Sequence, residues 1–158
     1  MNTTVNTHTT ANALEPQWLL DRRNSGNETY SNLPVPSAKD ENWRFASVLS
    51  EDIDAFKSAP MPEDHAIDYA LSNSKLVEDP IAELIFVDDH LVQSKPLPKQ
   101  LIDKGVRFLS LNEAIETHSD ILEPYFLVDS TRLGSQKYFG LHASNVKAGA
   151  VLYVPKGV

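Results

Sequence analysis

Three adjacent side chains near the middle of the chain have the chemistry to move protons or to bind a metal ion. Asp88 and Asp89 carry carboxylates and His90 carries an imidazole, groups that serve as general bases and as metal ligands. They stand between two apolar runs, IAELIFV at 81–87 and LVQS at 91–94. Polar residues between two strand-like runs are typical of a hairpin turn. We therefore predict a turn here, and a small enzyme using these three residues is the alternative interpretation.

No other group of residues indicates catalysis or metal binding. The five histidines are scattered, without an HExxH motif and without a pair four residues apart. The absence of cysteine excludes disulfides, thiolate metal sites and cysteine-held iron–sulfur clusters within this chain. The glycines form neither a phosphate-binding loop nor a G-x-S-x-G motif. We therefore predict no catalytic, cofactor-binding or metal-binding residue in these 158 residues.

The two tryptophans each lie among acidic and basic residues. Trp18 stands in EPQWLLDRR, and Trp43 stands in PSAKDENWRF, directly before Arg44 and Phe45. Such rings could stack on nucleic acid bases, but that use also requires a basic groove, and the net charge of the chain is −8. We therefore predict no nucleic acid partner and interpret these four residues as packing or docking residues.

The negative charge is concentrated in the middle of the chain. Residues 51–94 carry eleven acidic residues and two lysines, whereas residues 95–158 carry six acidic and eight basic residues. The first interpretation of this distribution is a solvated acidic surface that aids solubility, and a docking surface for a basic partner is the alternative. The sequence leaves both interpretations open.

The elements that must position these residues begin with helices. A proline at position 16 predicts a helix over residues 14–23, which the polar run NSGNETYSN is expected to end. Ser37, followed by acidic residues three and four positions later, predicts another helix start. EDIDAF at 51–56 and residues 63–76 have apolar residues at helical spacing. Residues 1–13 are polar and without periodicity, which predicts a disordered tail.

After Pro80 the pattern changes to short strands alternating with short helices. The hairpin around residue 89 is followed by predicted elements that alternate in type, so the sequence predicts an α+β fold. Its expected order is N-terminal helices and then a small mixed α/β unit with a β-hairpin. After the hairpin, the sequence predicts a helix over 98–104 that ends at Gly105, a strand VRFLSL, and a helix that begins with a capping box of Ser110 and Glu113. A further helix is predicted from Ser119, followed by a polar loop at 129–137. The last two predicted elements are a helix YFGLHASN and a strand AGAVLYVPKGV.

Several stretches, in this order, resemble the N-terminal part of the SufB/SufD family, and particularly its SufD-like members. They are EPQWLLDRR, LPVPSAKDENWRF, IAELIFVDDHLVQS, GVRFLSLNEAIETHSDILEPYF and KYFGLHASNVKAGAVLYVPKGV. No single motif is specific to the family, but the ordered set covers residues 14–158. The resemblance implies an N-terminal α/β domain over 14–145, with 146–158 as the first strand of a truncated right-handed β-helix.

The resemblance also implies a function. SufD-like proteins act with SufB and with the ATPase SufC in the assembly of iron–sulfur clusters, so we expect SufB-like and SufC-like partners and a non-catalytic role through protein contacts. The cluster is then built by the full complex, and this chain holds no cofactor of its own. A small, acidic, stand-alone interaction module is the alternative. Because the N-terminus shows no apolar leader and the sequence no membrane span, we expect a cytoplasmic location and no membrane partner.

The last strand suggests a further contact. Val151 and Tyr153 share one face, while Ala150, Leu152 and Val154 share the other, so both faces of the strand are apolar. A strand that is apolar on both faces expects neighbours on both sides. We therefore expect a homodimer through residues 148–158.

Overall fold

The computed structural model describes residues 15–45, 57–74, 77–128 and 135–158. Within these ranges no helix has both the length and the apolar character needed to span a membrane. The elements, in chain order, are α1 Gln17–Asn32, a 3₁₀ turn Glu41–Trp43, α2 Asp64–Asn73, β1 Glu83–Val87, β2 His90–Lys95, α3 Lys99–Asp103, β3 Arg107–Ser110, α4 Leu111–Thr117, α5 Ser119–Leu122, α6 Gln136–Asn145 and β4 Ala150–Tyr153.

The described residues form two compact units. The helical unit draws on Leu14–Lys57 and His118–Val146, and the sheet unit on Ser58–Thr117 and Lys147–Val158. The α+β class predicted from the sequence is confirmed. The predicted domain boundaries and the assignment of 146–158 to a truncated β-helix stay predictions.

Helix α1 is longer than its sequence predicts. The polar run from Asn24 to Asn32 was expected to end the helix, but the helix continues to Asn32, so that prediction is wrong. The reason is tertiary packing. Gly26 is buried against α6, and a Cβ at this position would lie 2.9 Å from both the Ala143 Cβ and the Gly140 carbonyl oxygen. This glycine therefore permits a close approach between helices, which overrides its weak helix propensity.

The approach is equally close from the side of α6. A Cβ at Gly140 would lie 2.6 Å from the Gly26 carbonyl oxygen and 2.8 Å from the Tyr30 backbone nitrogen. Ala143, one turn further along α6, is also buried. Backbone therefore meets backbone at this crossing, because neither helix presents a large side chain there.

Two basic side chains make hydrogen bonds that stabilise the pairing of α1 with α6. The Arg23 guanidinium makes two hydrogen bonds to the Glu15 carboxylate, at 2.9 and 3.0 Å, and donates a third to the Ser144 carbonyl oxygen at 3.3 Å. Lys137 Nζ donates to the Tyr30 and Leu33 carbonyl oxygens at 2.5 and 2.9 Å. These carbonyls belong to the C-terminal end of α1, where no intrahelical donor remains, so the lysine supplies the missing donors.

The predicted helix start at Ser37 is only partly right. The Asp40 backbone N–H donates to the Ser37 carbonyl oxygen at 2.9 Å, and the Asp40 carboxylate accepts from the Ser37 N–H at 2.7 Å. The two residues thus close a turn, and one 3₁₀ turn over Glu41–Trp43 follows instead of an α-helix. The helix predicted for residues 51–56 lies outside the described residues.

In the sheet unit the predicted hairpin is confirmed. β1 and β2 pair antiparallel, and Val87 lies opposite His90, so the connecting turn is Asp88 and Asp89, while His90, predicted in the turn, is the first residue of β2. Asp88 has a φ of 50°, a conformation that aspartate tolerates better than most residues. The apolar run at 81–87 is nearly continuous, yet Ile85 is the only buried residue of β1. A sheet of two strands leaves most of each strand partly accessible.

The second sheet joins distant parts of the same unit. β3 and β4 pair antiparallel, with Phe108 opposite Leu152 and Leu109 opposite Val151. Ser110 caps α4, because the Glu113 N–H donates to Ser110 Oγ at 3.2 Å, which is one of the two hydrogen bonds of the predicted capping box. Gly105 ends the α3 segment with a φ of 89°, as predicted. The core residues of this unit are Ile85, Val106, Leu111 and Ala114.

Candidate interaction surfaces

The three residues with catalytic potential form the end of the β1–β2 hairpin. Asp88 and Asp89 are exposed at the turn, and His90 begins β2. His90 Nε2 donates a hydrogen bond to the Ala59 carbonyl oxygen at 3.2 Å, which ties the segment before α2 to the hairpin. Within the described ranges no three His, Asp or Glu side chains converge as metal ligands would. The observed contact of His90 is that of a structural residue.

Trp18 is half-buried inside the helical unit. Its indole Nε1–H donates to Ser119 Oγ at 2.7 Å, and its ring meets Phe126 edge-on with centroids 6.4 Å apart. Edge-to-face contact is a favoured geometry for two aromatic rings, and a buried indole needs a partner for its N–H. These two contacts join α1 to α5 and to the turn that follows it.

Arg22 completes the Trp18 cluster. Its guanidinium carbon lies 4.8 Å from the centroid of the Trp18 ring, a distance that allows a cation–π interaction. The same guanidinium donates to the Phe126 carbonyl oxygen at 2.7 Å. Arg22 therefore has a structural role beside this tryptophan, because its guanidinium contacts both the Trp18 ring and the backbone of a distant segment.

The second tryptophan motif is divided between packing and exposure. The Trp43 ring is half-buried against Tyr138 of α6, with centroids 5.6 Å apart. Arg44 and Phe45 are exposed, and Phe45 is 94% exposed. The Arg44 guanidinium carbon lies 5.5 Å from the Phe45 ring centroid. Trp43 is thus placed for packing, whereas Arg44 and Phe45 are both exposed.

Replacing Trp43 with alanine should lower the free energy of unfolding by about 1.5 kcal/mol. A fully buried tryptophan would cost more, but this ring is only half-buried and has one aromatic neighbour. Urea denaturation followed by circular dichroism measures the change. Phe45→Ala is the matched control, because that ring is almost fully exposed and its loss should leave the midpoint unchanged. Equal effects of the two substitutions would contradict this assignment.

The β3–β4 sheet has one exposed apolar face. Leu152 is 65% exposed, and Ala150 and Val154 are exposed on the same side, whereas Val151 and Tyr153 are half-buried on the other. In the described ranges β4 pairs only with β3, so its second edge carries no strand. The sequence prediction of two apolar faces holds, and the side chains of one of these faces are exposed among the residues that the structure describes.

Helix α2 carries an acidic outer face. Asp64 and Asp68, one turn apart, are exposed beside the exposed ring of Tyr69. The opposite face carries the apolar residues whose spacing predicted this helix, Ala66, Ile67, Ala70 and Leu71, and all four are at least half-buried. The carboxylates thus follow from the amphipathic pattern of the helix.

Two comparisons with known proteins give matches. The protein-family model described as "SufBD protein N-terminal region" matches residues 5–158. The chain is also similar to the iron-sulfur cluster assembly protein SufD of Bacillus subtilis (strain 168), with 31% identity over 147 residues. That alignment covers 91% of this chain but only 33% of the relative, so the chain spans about a third of the relative's length. No solved structure matches.

Proposed function

This chain belongs to the SufB/SufD family, as an N-terminal region, and we propose that it serves as the N-terminal domain of a SufD-like subunit in iron–sulfur cluster assembly. The observation that carries the proposal is the match over residues 5–158, which extends through both compact units. The name of the Bacillus subtilis relative, an iron-sulfur cluster assembly protein, supports the process.

The domain acts by protein contact rather than by catalysis. The histidine and the tryptophan that could have had a chemical role make structural hydrogen bonds instead. His90 donates to the Ala59 carbonyl oxygen, and Trp18 donates to the Ser119 hydroxyl. Among the accessible side chains, Arg44 and Phe45 are suited to a protein partner, because an arginine beside an exposed aromatic ring is typical of interface contacts. The partners are SufB-like and SufC-like subunits, and the location is the cytoplasm.

Co-purification tests the proposal. The affinity-tagged chain is co-expressed with the SufB and SufC proteins of a bacterium that carries this system, and the eluate is analysed by size-exclusion chromatography with light scattering. We expect a complex of the chain with at least the SufB-type protein. If both proteins elute without the chain, the interaction is absent and the stand-alone acidic module becomes the better interpretation.

Matched variants locate the contact. Phe45→Ser should weaken complex formation about tenfold, as expected when an aromatic interface anchor is lost. Tyr125→Ser removes another exposed aromatic ring of the helical unit and should leave the affinity unchanged. Affinities are measured by biolayer interferometry at 150 mM salt. An equal loss in both variants would place the contact away from the Arg44–Phe45 pair.

The chain alone should retain neither iron nor ATP, because its sequence has no cysteine thiolate and no phosphate-binding loop. Anaerobic incubation with ferrous iron and sulfide, desalting and metal analysis measure iron retention. Equilibrium dialysis measures ATP binding. One tightly held cluster per chain would contradict the proposal that the cluster is built only by the full complex.

The chain also self-associates as a homodimer through residues 148–158, in this proposal. Exposed apolar strands recruit other chains; Leu152 and Val154 are exposed on β4, and in the described part of the chain β4 pairs with β3 alone. A second copy related by two-fold symmetry brings the same apolar side chains together. Light scattering at concentrations up to the millimolar range should give twice the mass of one chain.

A single charge should abolish this dimer. Leu152→Lys places an ammonium group on the apolar face, and the mass should fall to that of one chain. Val77→Lys is the matched control, because Val77 is 66% exposed in the same unit but lies outside residues 148–158. If the unaltered chain is already monomeric at the highest concentration, the dimer proposal is wrong.

A further inference from the structure

We draw no further inference here: the strongest candidate, the acidic outer face of α2 with Asp64, Asp68 and the exposed ring of Tyr69, is a group of surface carboxylates for which nothing in the described residues indicates a ligand.

Discussion

Alanine in place of Gly140 should lower the free energy of unfolding by about 3 kcal/mol, at the upper end of the usual cost of overpacking. The added methyl group would lie 2.6 Å from the Gly26 carbonyl oxygen and 2.8 Å from the Tyr30 backbone nitrogen. A side chain could rotate away from such a contact, but backbone atoms cannot, so α1 and α6 must separate. The higher helix propensity of alanine, about 1 kcal/mol over glycine, opposes this loss without cancelling it.

Gly149→Ala is the matched control for Gly140→Ala. Among the described residues, the nearest contact of a Cβ at Gly149 would be the Leu111 Cβ at 3.9 Å, which is an ordinary van der Waals distance. We expect this variant to change the stability by less than about 1 kcal/mol. Urea denaturation followed by far-ultraviolet circular dichroism compares the two variants. Similar midpoints for Gly140→Ala and Gly149→Ala would show that the helix crossing tolerates a methyl group and would contradict the packing described above.

Truncating Leu19 to alanine should cost about 3 kcal/mol or more, in the range found for leucines in tightly packed cores. Leu19 has 0% exposure, and it is the largest side chain among the described residues that is fully enclosed. Removing its three outer carbons loses both the burial of apolar surface and the contacts that the surrounding atoms made with it. The surrounding helices can refill only part of the cavity.

Leu20, the next residue of the same helix, provides the control. It is 39% exposed, so Leu20→Ala should cost less than about 1 kcal/mol. The two variants share the same change in composition and in helix propensity, and they differ only in burial. Both tryptophans of the chain, Trp18 and Trp43, lie in the helical unit, so intrinsic fluorescence follows its unfolding directly. A smaller loss for Leu19→Ala than for Leu20→Ala would overturn the assignment of Leu19 to the core.

Prediction from the sequence was most accurate for structural features that depend on only a few neighbouring residues. The helix cap by Ser110, the hairpin turn at Asp88 and Asp89, and the helix end at Gly105 all depend on neighbours in the chain, and all three are confirmed. Local hydrogen bonds and backbone preferences decide such features, and both are readable from residue types at short spacing.

The end of α1 could not be predicted in the same way. Gly26 has the residue type of a helix breaker, and only its contact with Gly140 explains why the helix continues. The partners of Trp18 pose the same difficulty, because Ser119 stands 101 positions away in the chain. Residue spacing indicates which residues share one face of a helix, but it does not indicate which face of another helix packs against them. The sequence thus left Trp18 and Trp43 as packing or docking residues, and their positions in the structure favour packing for both rings.

The pairing of α1 with α6 also has a consequence for the time course of synthesis. α1 ends at Asn32, but its partner is complete only when Asn145 has left the ribosome. At roughly 5–20 residues per second, that delay is on the order of ten seconds. A 16-residue helix containing glycine and several asparagines is marginal by itself in water. The first helix of the described residues is therefore among the last to become stable, and during translation its apolar residues stay available to chaperones until α6 emerges.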